Sequence, residues 1–176
     1  MTLPKMIALC GNPLSGKSTV ADYLSIAHGY DVLDDGLPLR QIAMDHLGLT
    51  ENQVFTQEGK LETVDIAGRT FEAREILGEI GNAFEEKFGP SSIPFMAQRR
   101  MEPGKRYVMG SVRREQGWFW QKQGALVIEI RRDAAPASKF EFDRFNPDAV
   151  QRIIHNNGSL DDLQLCVDAA LSAVSR

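Results

Sequence analysis

An octapeptide near the start of the chain has the residue types and spacing of a phosphate-binding loop. Residues 11–18 read Gly-Asn-Pro-Leu-Ser-Gly-Lys-Ser and satisfy the pattern GxxxxGK[ST]. Glycines allow the positive φ angles that turn successive backbone N–H groups inward around an anion. Lys17 adds a charge that reaches the β- and γ-phosphates of a nucleoside triphosphate, and the Ser18 hydroxyl is a ligand for Mg²⁺. The residues predicted to hold these phosphates are Gly11, Asn12, Ser15, Gly16, Lys17, Ser18 and Thr19.

The segments on either side of this loop have the patterns of a strand and a helix. Lys5–Cys10 is a short apolar run, which is typical of a buried strand. Lys17–His28 carries apolar residues at helical spacing and is followed by Gly29 as a C-terminal stop. A loop between a strand and a helix also gains the positive end of the helix dipole. The motif therefore lies in the context that phosphate binding requires.

Strands and helices alternate along the rest of the chain. Further strands are predicted at Tyr30–Leu33, Arg106–Ser111, Ala125–Ile130 and Ala149–His155. Further helices are predicted at residues 39–47, 71–87 and 115–123, and after Ser159, which with Asp162 resembles a capping box. Residues 50–70 are polar and weakly patterned, and residues 131–148 are a charged, proline-containing loop. The alternation predicts an α/β fold with a parallel sheet covered on both faces. Together with the phosphate-binding motif, we expect a three-layer α/β/α P-loop NTPase with a central, mostly parallel five-stranded sheet.

Composition limits the classes of protein to which the chain can belong. Its 176 residues suit one domain, and 43% apolar with 25% charged residues is typical of a folded globular protein. No apolar run approaches the roughly 18 residues of a membrane span. The N-terminus lacks the pattern of a secretory signal, so we expect a cytoplasmic protein with no membrane partner. The sequence pI of about 5.4 disfavours binding to a nucleic acid polymer.

The net charge of −4 is distributed unevenly along the chain. Residues 1–98 carry −7, residues 99–152 carry +5 and the remainder carries −2. A local excess of arginine in an acidic chain suits a small polyanionic ligand, because the guanidinium fork matches phosphate oxygens. An arginine-rich solvated surface has the same composition, so charge alone leaves both interpretations open.

Most of the chain resembles the phage-type deoxynucleoside monophosphate kinases, which are small P-loop enzymes related to adenylate kinase. The resemblance is carried by ordered blocks, of which only the P-loop is specific alone: MIALCGNPLSGKSTVADYL, LPLRQIAMDHLGL, AREILGEIGNAFEEKFGPSSIPF, YVMGSVRREQGWFWQKQGALVIEIRR and IIHNNGSLDDL. It implies a single kinase domain over 1–176, with an acceptor-binding insertion at about 37–100 and a lid at about 131–148. It also implies ATP and a deoxynucleoside monophosphate as partners, Mg²⁺ as cofactor and the diphosphate as product. Related kinases often form dimers, so the resemblance points to a homodimer, in the host cytoplasm if the protein is phage-encoded.

The resemblance assigns roles to individual residues. The acceptor-binding residues that it implies are Arg40, Arg74 and Arg113. Asp35, which is considered below, is predicted to bind the acceptor as well. The catalytic residues are Lys17, Arg131 and Arg132, with the two arginines at the entry to the lid, where they would neutralise charge on the transferred phosphoryl group. Asn157 lies in the block near the nucleotide base and is expected to contact the adenine side of ATP.

One departure from the family concerns the metal. The family has an aspartate at the end of the third strand that helps to position Mg²⁺, where this chain has Ser111. Asp34 and Asp35, after the second strand, are the best substitutes, and Glu115 is a weaker one. Asp34 is accordingly predicted as a catalytic residue that reaches Mg²⁺ through water, although an acidic pair at a strand end also suits a plain turn.

The departure leaves two other functions open. A strand-end acidic pair is similar to those of shikimate and dephospho-coenzyme A kinases, which favours phosphorylation of another small metabolite. Loss of the aspartate at Ser111 instead favours a nucleotide-binding sensor whose catalysis is impaired.

Overall fold

The computed structural model describes residues 3–138 and 140–173. The described chain contains seven strands: β1 Met6–Cys10, β2 Asp31–Leu33, β3 Thr63–Ile66, β4 Arg69–Glu72, β5 Tyr107–Met109, β6 Leu126–Arg131 and β7 Arg152–His155. Its α-helices are α1 Lys17–His28, α2 Leu37–Leu47, α3 Glu51–Phe55, α4 Ala73–Phe88, α5 Ser92–Gln98, α6 Gln116–Lys122 and α7 Leu160–Ser172.

Five strands form the central sheet in the order β2-β5-β1-β6-β7. Every pairing in this sheet is parallel, with Ile7 of β1 opposite Val108 on one side and Leu126 on the other. The predicted central five-stranded sheet is therefore confirmed.

Both faces of the sheet are covered by helices. Ile7 and Leu9 of β1 pack in one apolar cluster with α1 and α7. Ala8 and Cys10, which point to the opposite face because side chains alternate along a strand, pack in a second cluster with α5 and α6. This alternation explains why the buried strands are apolar throughout, and it confirms the three-layer α/β/α architecture.

A third apolar cluster lies within the range predicted as the acceptor-binding insertion. Ala43, Leu49, Val54, Ala73 and Ile76 join α2, α3 and α4. The segment 50–70, which the sequence patterns left unassigned, contains α3, a 3₁₀ turn at Gly59–Leu61 and most of the antiparallel β3–β4 hairpin, which extends to Glu72. These elements were missed because each is five residues or shorter and shows too little of its hydrophobic period.

The predicted boundaries hold best where glycine or a cap ends an element. The helix expected at Lys17–His28 is found with those bounds, and Gly29 after it has φ 66°. Ser159 accepts from the backbone N–H of Asp162 in a capping box that begins α7. The loop 131–148 contains 3₁₀ turns at Glu141–Asp143 and Pro147–Ala149, and residue 139 of the predicted lid lies outside the described residues. No helix in the described ranges has the length and apolar character to cross a membrane.

Candidate active site

The P-loop lies at the carboxyl end of the central strand β1. Since the sheet is parallel, the segments that follow β2, β5, β6 and β7 come to the same edge. A cavity of about 630 Å³ opens there, a volume typical of ligand sites. Its lining includes P-loop residues together with Asp35 after β2, Ser111 after β5, Arg132 after β6 and Asn156 after β7. The topology thus gathers residues more than 140 positions apart into one site.

The backbone of the P-loop is curled and braced from another strand. Gly11 and Gly16 have φ angles of 139° and 102°, which L side chains rarely adopt. A Cβ on Gly16 would lie 2.3 Å from the side-chain nitrogen of Asn156. That nitrogen donates to the Ser15 carbonyl oxygen at 2.8 Å, so the residue that follows β7 holds the loop in place.

Lys17 contacts the loop's own carbonyl groups. Its Nζ donates to the carbonyl oxygens of Gly11 and Asn12, at 2.8 Å each. Burial lowers the pKa of Lys17 to about 8, with the neighbouring Arg113 charge acting in the same direction and the charges of Asp143 and Cys10 opposing it. An anion beside this ammonium would relieve both effects, which suits Lys17 to a phosphate.

The other residues predicted to hold phosphates divide into two groups. Gly11, Gly16, Ser18 and Thr19 line the cavity. Asn12 and Ser15 shape the loop instead, because the Ser15 N–H donates to the Asn12 carbonyl oxygen at 3.2 Å. Ser15 is 1% exposed, and its Oγ has no hydrogen-bond partner in the described part of the chain.

The two aspartates after β2 have different surroundings. Asp34 forms an ion pair with Arg40 and accepts from the Gly36 N–H at 3.0 Å, and it does not line the cavity. Asp35 lines the cavity, is 3% exposed and has one carboxylate oxygen without a hydrogen-bond partner among the described residues. Burial raises the pKa of Asp35 to about 6, with Asp34 adding to the rise and Arg113 opposing it. Of the pair, Asp35 is the carboxylate available to a ligand.

The residues fit a hydrated magnesium ion rather than an all-protein metal cage. Among residues 3–138 and 140–173, no group of three or more His, Cys, Asp or Glu side chains could hold a metal. Ser18, which is exposed, and Asp35, which has a buried oxygen without a hydrogen-bond partner among the described residues, both line the cavity. Mg²⁺ keeps several waters and commonly takes one or two protein oxygens with substrate phosphates. Glu115, the weaker candidate, lies outside the cavity lining and accepts from the Asn146 side chain at 2.9 and 3.1 Å.

The three arginines expected to bind the acceptor all line the cavity. Arg40 is held by Asp34 and by the Phe55 ring, whose centroid is 5.3 Å from its guanidinium carbon. Arg74 and Arg113 converge on one carboxylate, Asp143, at 3.3 and 3.4 Å. Arg74 also donates to the Gln57 side chain at 2.7 Å.

The two lid arginines are separated by the structure. Arg132 lines the cavity, whereas Arg131 is exposed and forms a two-bond pair with Glu129 at 2.7 and 2.8 Å. Asn157 also lies outside the cavity lining, because its side chain bonds to the backbone and carboxylate of Asp133. Its neighbour Asn156 takes the place in the lining. The roles assigned to Arg131 and Asn157 stay predictions.

A polar network on α4 was missed by the sequence patterns. Glu85 accepts from the Arg114 guanidinium at 2.7 Å and from the Gln116 amide at 3.0 Å, and Arg114 also donates to Asn82. The available signal was a row at helical spacing on α4, which lines the cavity: Arg74, Gly78, Asn82 and Glu85. Asp143 and Lys60 left no comparable signal, because each lies in a short 3₁₀ turn.

The cavity is strongly cationic in an acidic protein. Its basic lining residues are Lys17, Arg40, Lys60, Arg74, Arg113, Arg114 and Arg132, and its acidic ones are Asp35, Glu85 and Asp143. The lining therefore carries +4, against −4 for the whole chain. Such a site attracts small polyanions, and its arginines come from both the acidic and the basic parts of the sequence.

Solved structures similar to this chain include known kinases. Dephospho-CoA kinase from Campylobacter jejuni has a TM-score of 0.54 at 15% identity, with 97% of each chain covered. TT1252 from Thermus thermophilus has a TM-score of 0.51 at 20% identity, with 98% of this chain and 99% of that chain covered. Shikimate kinase from Aquifex aeolicus aligns with a TM-score of 0.49 at 14% identity, over 97% of this chain and 98% of that one. No protein-family model and no curated protein sequence matches this chain.

The first two similarities extend over nearly the whole chain. The chain therefore shares its fold with TT1252 and with this dephospho-CoA kinase. At these identities the likeness concerns the fold, and the acceptor has to be argued from the site itself.

Proposed function

We propose that the chain is an ATP-dependent kinase that transfers the γ-phosphoryl group to a deoxynucleoside monophosphate and releases the diphosphate. The observation that carries this proposal is a cavity that is lined both by the P-loop and by Arg40, Arg74 and Arg113. Two polyanions brought together in one site repel each other, so a phosphoryl transferase needs cations on both. The +4 lining supplies them.

Each group of residues then has a defined task. The P-loop backbone and Lys17 bind the β- and γ-phosphates, and the Ser18 hydroxyl with Asp35 would hold Mg²⁺ and its waters. A bound Mg²⁺ would neutralise part of the negative charge on the phosphates. Arg113 lies between the two halves of the site, since it lowers the pKa of Lys17 and also pairs with Asp143. Arg74 binds the acceptor phosphate.

The reaction needs no strong base when the acceptor is a monophosphate. One oxygen of the acceptor phosphate forms a bond to the γ-phosphorus, and the bond from that phosphorus to the β–γ bridging oxygen breaks, with ADP leaving. The second pKa of a phosphate monoester is about 6, so the attacking oxygen is already deprotonated at pH 7. The residues that matter are those that orient the two phosphates and exclude water.

A second candidate is a kinase of a small metabolite whose acceptor is a hydroxyl group. The specific observation that favours it is Asp35, a buried carboxylate in the cavity with a pKa raised to about 6. A carboxylate of that kind suits a general base that takes the proton of an attacking hydroxyl. Similarity of fold to dephospho-CoA kinase is compatible with this candidate. A third candidate, a nucleotide-binding sensor, rests on Ser111 in place of the family's aspartate.

A coupled ADP-release assay separates the three candidates. ATP and Mg²⁺ are supplied with each of the four deoxynucleoside monophosphates, the ribonucleotides, dephospho-coenzyme A and shikimate. Acceptor-stimulated ADP release by a deoxynucleotide supports the main proposal, and no stimulation by any nucleotide would falsify it. Release with a hydroxyl acceptor alone supports the second candidate. Tight ATP binding without turnover supports the sensor. The homodimer, the cytoplasmic location and the lid at 131–148 belong to the main proposal.

A further inference from the structure

Lys60 is held in the candidate active site by a tightly fixed turn. It lies in the 3₁₀ turn Gly59–Leu61, and its side chain lines the cavity. The Gly59 N–H donates to the Thr56 hydroxyl at 2.8 Å, and the Lys60 N–H donates to the Thr56 carbonyl oxygen at 3.2 Å. A Cβ on Gly59 would lie 2.2 Å from the Asn52 carbonyl oxygen, so the turn packs against the helix that precedes it. The position of Lys60 is therefore built into the fold.

The Lys60 ammonium is unpaired in a cavity whose charged lining residues are mostly cations. It has no hydrogen-bond or ion-pair partner within the described ranges. Burial lowers its pKa to about 8, the charges of Arg40, Arg113 and Arg74 act in the same direction, and the charge of Asp34 opposes them. Holding a half-buried, unpaired cation beside three others is unfavourable unless a ligand supplies negative charge.

Asp143 shows where that charge fits. Its side chain is 9% exposed, and its two oxygens lie 3.3 Å from Arg74 and 3.4 Å from Arg113. Ser138 also donates to it at 2.8 Å. Two oxygens on two guanidinium groups reproduce the way a phosphate is held. The Arg74 Nε, which is buried, still has no acceptor among the described residues.

The segment that carries Asp143 reaches the cavity through an aromatic contact. Phe142 packs on Gly78 so closely that a Cβ there would lie 2.4 Å from its ring. Phe140 stacks on Phe142 at 5.1 Å between ring centroids, and the Arg74 guanidinium carbon lies 5.6 Å from the Phe140 ring. These contacts come from the predicted lid, which is joined to the acceptor side of the cavity through side chains.

We propose that Lys60 is a further acceptor-binding residue which, with Arg74 and Arg113, holds the dianionic phosphate of the acceptor in the place that the Asp143 carboxylate takes in this structure. The inference rests on the proposed function only for the identity of the acceptor. Asp143 acts as an internal counter-ion that the incoming phosphate displaces. A phosphate carries more charge than a carboxylate and presents a third oxygen, so it can engage Lys60 as well as both arginines. The site thereby selects acceptors that carry a phosphoryl dianion.

The first arm of the test measures binding without turnover. Inorganic phosphate is titrated calorimetrically into the full-length protein with saturating MgADP, so that the P-loop is occupied. We expect Lys60→Gln to weaken phosphate binding about 10- to 100-fold at pH 7, and Lys60→Arg to restore most of it. Lys122→Gln, an exposed lysine outside the cavity, is the control and should bind like the wild type. No phosphate binding by the wild type, or equal binding by Lys60→Gln, overturns the proposal.

The pH dependence of phosphate binding distinguishes a charged contact by Lys60 from a purely structural role, which would not change with the protonation of the lysine. The advantage of the wild type over Lys60→Gln should fall as pH rises above about 8, where the lysine loses its proton. The advantage of Lys60→Arg should persist, because guanidinium stays charged. A wild-type advantage that is constant from pH 7 to about pH 10 contradicts the assignment.

The second arm tests whether the Asp143 carboxylate competes with phosphate for Arg74 and Arg113. If Asp143 competes with phosphate, Asp143→Asn should bind phosphate several-fold more tightly than the wild type and should lower the acceptor KM. If Asp143 instead positions the arginines for the ligand, the same variant binds phosphate more weakly, and that outcome refutes the competition. Asp133→Asn, on the same segment but outside the cavity lining, is the matched control.

The role of Lys60 and the proposed kinase activity can be tested independently. Phosphate binding that depends on Lys60, without turnover of any deoxynucleotide, supports this inference and removes the proposed function. Turnover of a deoxynucleotide whose acceptor KM is unchanged in Lys60→Gln supports the function and removes the inference.

Discussion

Replacing Asp35 with asparagine should stabilise the protein at neutral and alkaline pH. The carboxyl group is 3% exposed, and one of its oxygens has no hydrogen-bond partner in the described ranges. Burial raises its pKa from 3.8 to about 6. A carboxylate kept in these surroundings at pH 8 is therefore a cost to folding, as expected for a group retained for a ligand rather than for stability.

The size and sign of the effect follow from proton linkage. A pKa about two units above its unfolded value means that the folded state binds this proton more tightly than the unfolded chain does. The stability that the protonated group contributes is fully present below about pH 4 and is lost as pH rises through about 6. Two units correspond to about 3 kcal/mol at pH 8, and the difference falls below about 1 kcal/mol at pH 4. Asparagine does not ionise, but the desolvation of its amide offsets part of the stabilisation. We therefore expect the free energy of unfolding to rise by about 1–3 kcal/mol at pH 8.

Urea denaturation followed by tryptophan fluorescence measures this effect. Wild type and Asp35→Asn are compared at pH 4, 6 and 8, with Asp45→Asn, an exposed aspartate on α2, as control. The gain should grow from pH 4 to pH 8 at an unchanged m-value, while the control stays within about 0.5 kcal/mol at each pH. A loss of stability at pH 8, or a gain that is the same at all three pH values, would refute the argument from a buried charge.

Three further predictions concern the P-loop and the acceptor side. Lys17→Ala should abolish turnover. ATP binding to the wild type at pH 8.5 should take up protons, since a phosphate raises the lowered pKa of Lys17. Calorimetry in buffers of different ionisation enthalpy measures this uptake, and uptake that persists in Lys17→Ala would show that another group binds the protons. Arg74→Ala should raise the acceptor KM by about 10-fold or more with little change for ATP, and equal effects on both KM values in steady-state kinetics would contradict its assignment. Gly78→Ala should displace Phe142 and destabilise the protein by about 1–3 kcal/mol in the same urea assay, because the added Cβ would lie 2.4 Å from the ring; the neighbouring Gly81→Ala, whose Cβ has its closest contact at 3.4 Å, should cost less.

Much of the fold was predictable because it depends on local patterns. The buried strands are short apolar runs, α1 ends at a glycine with a positive φ, and α7 begins at a capping box. Each of these signals lies within a few residues of the element that it defines. The hairpin in 63–72 was not predictable in the same way, since each of its strands has only four residues, which is too few for an alternating pattern to be distinguished from chance.

The candidate site was predictable in its P-loop and less so elsewhere. Loop geometry at Gly11 and Gly16 follows from eight consecutive residues, so the pattern and the structure agree. The choice between Asp34 and Asp35 depends on Arg40: Asp34 forms an ion pair with Arg40, whereas Asp35 lines the cavity. Asp143 enters the site through contacts with Arg74, 69 positions away. Sequence patterns carry no information about such pairings.

The sequence by itself determined that this chain folds as a parallel α/β layer with a phosphate-binding loop after its first strand, because hydrophobic period, glycine position and motif spacing are local properties. Only the tertiary structure decided which charges meet. It brings the carboxyl ends of five parallel strands to one edge, places Asp35 and Lys60 in the lining of one cavity, and pairs Arg74 and Arg113 with Asp143. Electrostatic interactions depend on distance and burial in space, and neither quantity can be read from positions along a chain.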